Sequence, residues 1–308
     1  MAYLYLSEPP PPEGEDLKRS ISWLLLLIVL GALFWLHAQR NSDLIEETDV
    51  HYGSPQDASL TLDVLRLRRA RIRPAILFVH GGGWRGGDKR DFRGLGEGFA
   101  RRGYVSILLN YRLLTDTGNR FPAQLDDVQR AVRWVRANAD RYGIAPQRIG
   151  ALGASAGGHL VALLGTTDTL DNRPPELSQY SSRAQCVVDL FGPTDLTKQF
   201  PVTRELDVQK LVHDFLGGTP DQKPDLYREA SPYVHVDGAT VPFLIFQGGR
   251  DPLVPAEQSR IFAERLRASG VPVTYIEFPD EGHGIERQED KAKFVTATTE
   301  FFDGCLKR

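Results

Sequence analysis

Ile149-Gly-Ala-Leu-Gly153-Ala-Ser155-Ala-Gly157-Gly-His-Leu is a short apolar run, a G-x-S-x-G pentapeptide and the start of a helical apolar pattern. A strand, a sharp turn and a helix in this order are typical of a nucleophile elbow. Because the turn is so tight, the residues two before and two after the serine must lack bulk, as Gly153 and Gly157 do. The sequence therefore predicts Ser155 as a nucleophile, with the N–H of Ala156 at the helix N-terminus available to a developing negative charge.

A glycine run follows another buried strand. Residues 75–79 are apolar and lead into His80-Gly-Gly-Gly-Trp84. Consecutive glycines let the backbone approach a ligand closely and direct N–H groups at it, as in the oxyanion loop that accompanies the elbow in lipases and esterases. The phosphate-loop pattern G-x-x-x-x-G-K-[ST] is absent. We expect Gly82, Gly83 and Ala156 to form an oxyanion hole, with Trp84 narrowing the substrate pocket beside it.

These motifs, in this order, resemble the α/β-hydrolase carboxylesterases, in the branch of hormone-sensitive-lipase-like and bacterial feruloyl and acetylxylan esterases. The resemblance covers roughly residues 50 to 304. It rests also on Asn110-Tyr-Arg-Leu113, Phe121-Pro-Ala, Trp134, Asp251-Pro-Leu-Val-Pro255 and Gly282-His-Gly284. Ala154, where many lipase-like members carry Asp, and residues 114–119 depart from the family pattern. The resemblance implies an α/β fold with a mostly parallel sheet, helices on both faces, a small cap insertion and no cofactor.

The fold requires the chain order Ser, then Asp or Glu, then His. The loop after the apolar strand at 241–246 ends in Asp251, and the loop after the strand at 273–278 contains His283. Both loops leave the carboxyl ends of strands, the edge where α/β sheets place ligands. We therefore predict a catalytic triad of Ser155, His283 and Asp251.

Other acids and histidines fit these roles less well. Asp195 also follows a strand, but one that precedes the usual acid strand, so a turn cap is expected. Asp280 and Glu281 are too close in sequence to His283 to orient it. The sequence predicts that His80 packs the oxyanion loop and that His159 is structural.

The chain is expected to begin with a disordered tail at 1–20, a transmembrane signal anchor at 21–39 and a linker at 40–57, followed by the catalytic domain at 58–308. Ser20 to Gln39 contains no charged residue and, as a helix, spans roughly 30 Å. Trp23 and Trp35 lie near its two ends, where aromatic belts occur. A cleaved signal peptide and a helix docked on its own domain are the alternatives.

Charges flanking the apolar segment predict its orientation. Lys18 and Arg19 precede it, and Arg40 alone follows closely. This bias favours a cytoplasmic N-terminus and an extracytoplasmic catalytic domain on a single span. The net charge of −3 over 308 residues, without a basic stripe, gives no indication of nucleic acid.

The sequence contains two cysteines, Cys186 and Cys305. Two cysteines so far apart do not form a disulfide framework, and a single bridge is an option only outside the cytoplasm. No CxxC or H-E-x-x-H motif indicates a metal.

The sequence as a whole predicts a serine carboxylesterase acting on short-chain acyl esters. In the lipase-like branch, helices ahead of the first strand form part of a large cap over the acyl site, but here that segment is expected to be an anchor and a linker. The other candidate for a cap, residues 192–240, contains one amphipathic helix pattern, with Val208, Leu211, Val212 and Phe215. Two alternatives are an arylformamidase-type amide hydrolase and a non-catalytic, membrane-tethered binding protein. The triad argues against the latter, because a binding module does not need all three residues.

Overall fold

The computed structural model describes residues 43–69, 71–167, 175–204 and 206–307. Almost all of them belong to Ile45–Arg308, one of the two compact units of the chain. The predicted tail at 1–20 and the predicted anchor at 21–39 lie outside the described residues. Within the described ranges, no helix combines the length and the apolar character that a bilayer crossing needs.

The centre of the domain is an eight-stranded sheet in the order β1-β2-β4-β3-β5-β6-β7-β8. The strands are β1 Leu44–Gly53, β2 Leu60–Leu67, β3 Arg73–Val79, β4 Val105–Leu109, β5 Ile144–Ala154, β6 Cys186–Leu190, β7 Phe243–Gly248 and β8 Val273–Phe278. β2 is antiparallel to β4, and every pair from β4 to β8 is parallel. Continuous buried apolar runs, such as residues 75–79 of β3, are typical of parallel strands covered on both faces. The predicted mostly parallel sheet is confirmed.

Helices cover both faces of the sheet. They are α1 Arg93–Arg101, α2 Ala123–Ala137, α3 Ala139–Tyr142, α4 Ala156–Thr166, α5 Val208–Leu216, α6 Pro224–Glu229, α7 Ala256–Ala268 and α8 Gln288–Leu306, with 3₁₀ turns at Pro55–Asp57, Lys89–Phe92, Pro175–Leu177 and Pro232–His235. On β7, Phe243 contacts Phe262 of α7, and Phe246 contacts Phe294 of α8. Because Phe243 and Phe246 are an odd number of residues apart, they point to opposite faces. α7 and α8 therefore lie on opposite sides of the sheet.

The linker predicted at 40–57 is wrong for most of its length, because β1 (Leu44–Gly53) is an edge strand of the sheet. Its acidic residues caused the error. Glu46 pairs with Arg93, and Glu47 pairs with Arg66 at 3.1 Å. An edge strand tolerates such charges because one side of it remains in solvent. The folded domain therefore begins near residue 44 and not at 58.

A disulfide joins Cys186 on β6 to Cys305 on α8, across 119 residues of sequence. No free cysteine remains in the part of the chain that the structure describes. The single bridge, an option in the sequence, is therefore present, and it fastens the C-terminal helix to a central strand.

We expect Cys305→Ser to lower the free energy of unfolding by about 2 to 5 kcal/mol, because the bridge closes a long loop and constrains the unfolded chain. Denaturant unfolding of both proteins, with and without a reductant, measures this. Reductant should destabilise the wild type to the level of the variant and leave the variant unchanged. Equal midpoints for the oxidised wild type and the variant would show that the bridge does not stabilise the fold.

Candidate active site

The serine lies at a strained turn between β5 and α4. Ser155 has a φ of 54°, a region that residues other than glycine seldom occupy. Its N–H donates to the carbonyl oxygen of Leu190 at 2.8 Å, which fixes the turn to β6. A side chain at Gly157 would collide with the carbonyl oxygen of Val79, and one at Gly153 with that of Gly157. The two glycines of the pentapeptide are thus required by close backbone packing.

The three predicted triad residues form a chain of hydrogen bonds. His283 Nε2 lies 2.8 Å from Ser155 Oγ, and His283 Nδ1 lies 2.7 Å from Asp251 Oδ2. The Asp251 side chain is fully buried, whereas 18% of the His283 side chain is exposed. A carboxylate only accepts hydrogen bonds, so the imidazole proton lies on Nδ1 and Nε2 accepts from the serine hydroxyl.

Asp251 is fixed independently of the histidine. Its Oδ1 accepts the N–H groups of Leu253 and Val254, both at 2.9 Å, and its Oδ2 accepts from Gln247 Nε2 at 3.1 Å. Gln247 Oε1 in turn accepts the hydroxyl of Ser259 at 2.8 Å. These bonds hold the carboxylate in one orientation beneath the imidazole. Gln247, the penultimate residue of β7, is a supporting residue that the sequence analysis did not identify.

The glycine run forms one wall of the site. Gly82 and Gly83 have φ values of 98° and 59°, and the Gly82 carbonyl accepts the N–H groups of Arg85 and Gly86 in a tight turn. Among the described residues, no backbone hydrogen bond in a loop or turn occupies the N–H groups of Gly82, Gly83 or Ala156. All three predicted oxyanion-hole residues line the same cavity as Ser155 and His283.

The Asn110–Leu113 motif holds the start of the oxyanion loop in place. The Tyr111 hydroxyl donates to the carbonyl oxygen of His80 at 3.0 Å, and its ring stacks on the His80 imidazole at 4.3 Å. Burial lowers the pKa of His80. Arg112 forms a buried bidentate ion pair with Asp127. His80 therefore packs against the oxyanion loop, as predicted. The Asn110–Leu113 motif has a structural role, because Tyr111 holds His80 and Arg112 pairs with Asp127.

Trp84 lines the cavity but is only 3% exposed. Its indole stacks on Phe215 of α5 at 4.1 Å, and its Nε1–H donates to His159 Nδ1 at 3.3 Å. Because indole is only a donor, the His159 proton lies on Nε2, which donates to the carbonyl oxygen of Ala230 at 2.7 Å. Burial lowers the pKa of His159 to about 4, so the ring is neutral. His159 is structural, as predicted, and joins the oxyanion loop to the nucleophile helix.

The cavity above Ser155 has a volume of about 350 Å³. Apolar side chains form most of its walls: Phe191, Pro193, Phe200, Leu206, Val208, Leu211, Val212, Leu253 and Val254. Several belong to α5, which confirms the amphipathic helix predicted there; Val212 and Phe215 are fully buried. At the rim, Arg85 pairs with Asp116 at 3.1 Å and with Asp214 of α5 at 3.0 Å, which connects α5 to the oxyanion loop.

Asp189, on β6, is a buried acid that the sequence analysis missed. Its Oδ1 accepts the N–H of Gly192 at 3.0 Å, and its other oxygen has no partner among the described residues. Burial raises its pKa to about 7. The sequence signal that could have identified this buried acid is an aspartate within the apolar run of β6. The rival acid Asp195 accepts from the N–H and hydroxyl of Thr197, so it caps a turn, as predicted.

Metal binding has no support within the described ranges. No group of three or more His, Cys, Asp or Glu side chains is arranged there to hold an ion. The triad carboxylate, Asp251, has both oxygens occupied by donors.

Sequence relatives of the chain include several esterases. The family model BD-FAE matches residues 62–266. Esterase LipC of Mycobacterium tuberculosis is 35% identical over 255 residues, which are 81% of this chain and 62% of that protein. The probable carboxylic ester hydrolase LipM of the same organism is 31% identical over 261 residues, 83% of this chain and 59% of that protein. The chain thus spans about three fifths of these curated relatives.

Solved structures share the fold. A thermophilic esterase from Thermogutta terrifontis with propionate bound has a TM-score of 0.69 and 31% identity, over 83% of this chain and 92% of that one. A truncated carbohydrate esterase from gut microbiota has a TM-score of 0.74 and 27% identity, over 86% of this chain and 97% of that one. Since the family model covers more than half of the sequence, the chain belongs to the BD-FAE family, and its mostly parallel sheet and these structural matches show the α/β-hydrolase fold.

Proposed function

We propose that this chain is a serine carboxylesterase. The observation that carries the proposal is the hydrogen-bond chain from Ser155 through His283 to Asp251, at the base of an apolar cavity. The esterases among its relatives support the same conclusion. Neither a metal nor an organic cofactor takes part in the reaction proposed.

In the proposed reaction, His283 Nε2 removes the hydroxyl proton of Ser155, whose oxygen attacks the ester carbonyl. The carbonyl oxygen becomes negative and accepts from the N–H groups of Gly82, Gly83 and Ala156. Asp251 stabilises the imidazolium, which then protonates the leaving alcohol. Water, deprotonated by His283, cleaves the acyl-enzyme and releases the acid. Loss of one oxyanion donor typically costs about 3 kcal/mol of transition-state stabilisation.

The acyl group is proposed to be short. The cavity of about 350 Å³, which has α5, Phe191 and Phe200 among its walls, leaves little room for a long chain. The solved T. terrifontis esterase structures with propionate and with butyrate bound are consistent with this proposal.

We expect kcat/KM for p-nitrophenyl esters to peak at acetate to butyrate and to fall beyond roughly eight carbons, because each further CH₂ contributes about 0.8 kcal/mol only where it meets apolar wall. A series of acyl lengths measures this, and an aryl formamide in the same series tests the amide alternative. A maximum at about twelve carbons or longer contradicts the small pocket. Faster turnover of the formamide than of the acetate contradicts the ester assignment.

We also propose that residues 21–39 anchor the chain in a membrane, with the catalytic domain outside the cytoplasm. The uncharged stretch from Ser20 to Gln39 supports the anchor, and Lys18 and Arg19 before it support the orientation. The bridge between Cys186 and Cys305 supports an oxidising compartment, because disulfides persist there and are rare in the cytosol.

Protease treatment of intact cells or spheroplasts tests this orientation. We expect the full-length chain to be cleaved in intact cells, because in this orientation everything after residue 39 faces the protease. A cytoplasmic marker enzyme should stay intact as the control. A domain that is protected until the membrane is lysed would reverse the orientation.

A further inference from the structure

One surface far from the triad is strongly basic. Residues 66–69 and 71–73, together with α3, line a cavity of about 370 Å³. We call this surface the arginine patch; its basic members are Arg66, Arg68, Arg69, Arg71, Arg73 and Arg141. Asp140 and Glu47 are the acidic groups beside it. The net charge of the whole chain is −3, so it gives no sign of this local cluster of positive charge.

Hydrogen bonds of Arg73 fasten the arginine patch to the end of β2. Arg73 is buried and donates to the carbonyl oxygens of Leu67 at 3.0 Å and Arg69 at 2.6 Å. Burial and the neighbouring charges of Arg66 and Arg71 lower the pKa of Arg73. Positive charges are thus held close enough to repel one another, and such an arrangement is stabilised by an anionic partner.

The outer part of the arginine patch faces solvent. Arg68, Arg69 and Arg71 are exposed, and Ile72 beside them is 71% exposed, the most exposed large apolar side chain among the described residues. Guanidinium groups pair with phosphate oxygens, and an exposed isoleucine beside them can enter the headgroup region. Basic groups beside an exposed apolar side chain fit an anionic lipid surface better than they fit a small soluble anion.

With the proposed anchor at 21–39, the short connection to β1 would bring this surface towards the membrane. β1 begins at Leu44, and Glu47 on β1 pairs with both Arg66 and Arg141. Residues 40–43 separate β1 from the proposed anchor, and five steps of extended chain cover at most roughly 17 Å. A span ending at residue 39 therefore holds this end of β1 close to the lipid headgroups.

We propose that the arginine patch docks on anionic phospholipid headgroups and orients the catalytic domain on the membrane that anchors it. The proposal rests on the proposed anchor and not on the proposed esterase activity. The patch lies at the start of β3 and β5, whereas Ser155 follows the end of β5. The docked enzyme therefore opens its active site away from the bilayer, towards esters in the aqueous phase.

Hydrogen exchange of the full chain in nanodiscs tests this. Discs of phosphatidylcholine are compared with discs containing phosphatidylglycerol. We expect amides of residues 66–73 to exchange about tenfold more slowly in the anionic discs. The protection should disappear at about 1 M salt, where the Debye length is about 3 Å. Loops around Asp251 and His283 should exchange equally in both discs.

A charge reversal at Arg68, Arg69 and Arg71, all to Glu, should abolish the protection and leave turnover of a soluble ester unchanged. The matched control reverses three other exposed arginines, Arg228, Arg265 and Arg267, and should keep the protection. Equal exchange in the two discs, or protection that survives the patch reversal, overturns the proposal. Protection in phosphatidylcholine discs on adding millimolar phosphate reassigns the patch to free phosphate. Extraction of the chain by alkaline carbonate overturns the anchor and, with it, this proposal, whereas turnover of a soluble ester by the extracted chain would leave the proposed esterase activity standing.

Discussion

Replacing Ser155 with alanine is expected to lower kcat for a short-chain ester by about 10⁶-fold. The variant keeps the oxyanion donors and the cavity but has no oxygen to form the acyl-enzyme, so only binding and electrostatic stabilisation remain. In the structure, Ser155 Oγ is hydrogen-bonded to His283 Nε2. Its removal should therefore leave the melting temperature within a few degrees of the wild type. Steady-state kinetics with p-nitrophenyl acetate measure the loss.

Ser106→Ala is the matched control. Ser106 is also a buried serine, and its hydroxyl donates to the carbonyl oxygen of Gly96 at 2.8 Å, away from the site. This variant should lose some stability, by about 1 kcal/mol, and keep its turnover. A Ser155→Ala enzyme that retains a substantial part of wild-type turnover contradicts the assignment of the nucleophile.

Asp251→Asn is expected to lower kcat by about 10⁴-fold while preserving the fold. Asparagine can still accept the N–H groups of Leu253 and Val254. Its amide nitrogen, however, faces His283 as a donor and shifts the imidazole proton to Nε2. That tautomer cannot accept the proton of Ser155, so the loss should appear in kcat much more than in KM.

Asp195→Asn distinguishes the two candidate acids. Asp195 caps the turn at Thr197 and makes no hydrogen bond to His283 within the described residues. Its substitution should change kcat by less than about tenfold. If instead Asp195→Asn is the severe variant and Asp251→Asn is mild, the orienting acid has been assigned to the wrong strand.

Local patterns were enough to predict the fold and the location of the candidate site. The G-x-S-x-G turn and the glycine run can be recognised locally, because glycine is needed at positions such as Gly157 and Gly82. Close backbone packing excludes a side chain at both, and Gly82 also has a positive φ. In a parallel sheet the loops after β7 and β8 lie at the same edge. Asp251 and His283 could therefore be identified as partners of Ser155 without knowing the distances between their side chains.

Features that depend on distant partners were not predictable in this way. β1 looks like a linker until Glu46 and Glu47 find their arginines on other elements. The bridge between Cys186 and Cys305 depends on where the last helix docks. The bond from Trp84 to His159 connects residues 75 positions apart, and neither has a local pattern that indicates it.

Covalent labelling tests the central claim, that Ser155 is the nucleophile, most directly. The full chain is treated with paraoxon until ester hydrolysis stops, digested and analysed by mass spectrometry. We predict one diethylphosphoryl group per chain, on the peptide containing Ser155, with the extent of labelling equal to the loss of activity and no label in Ser155→Ala. Complete inactivation with the label on another residue, or full activity in a chain labelled at Ser155, would contradict the account.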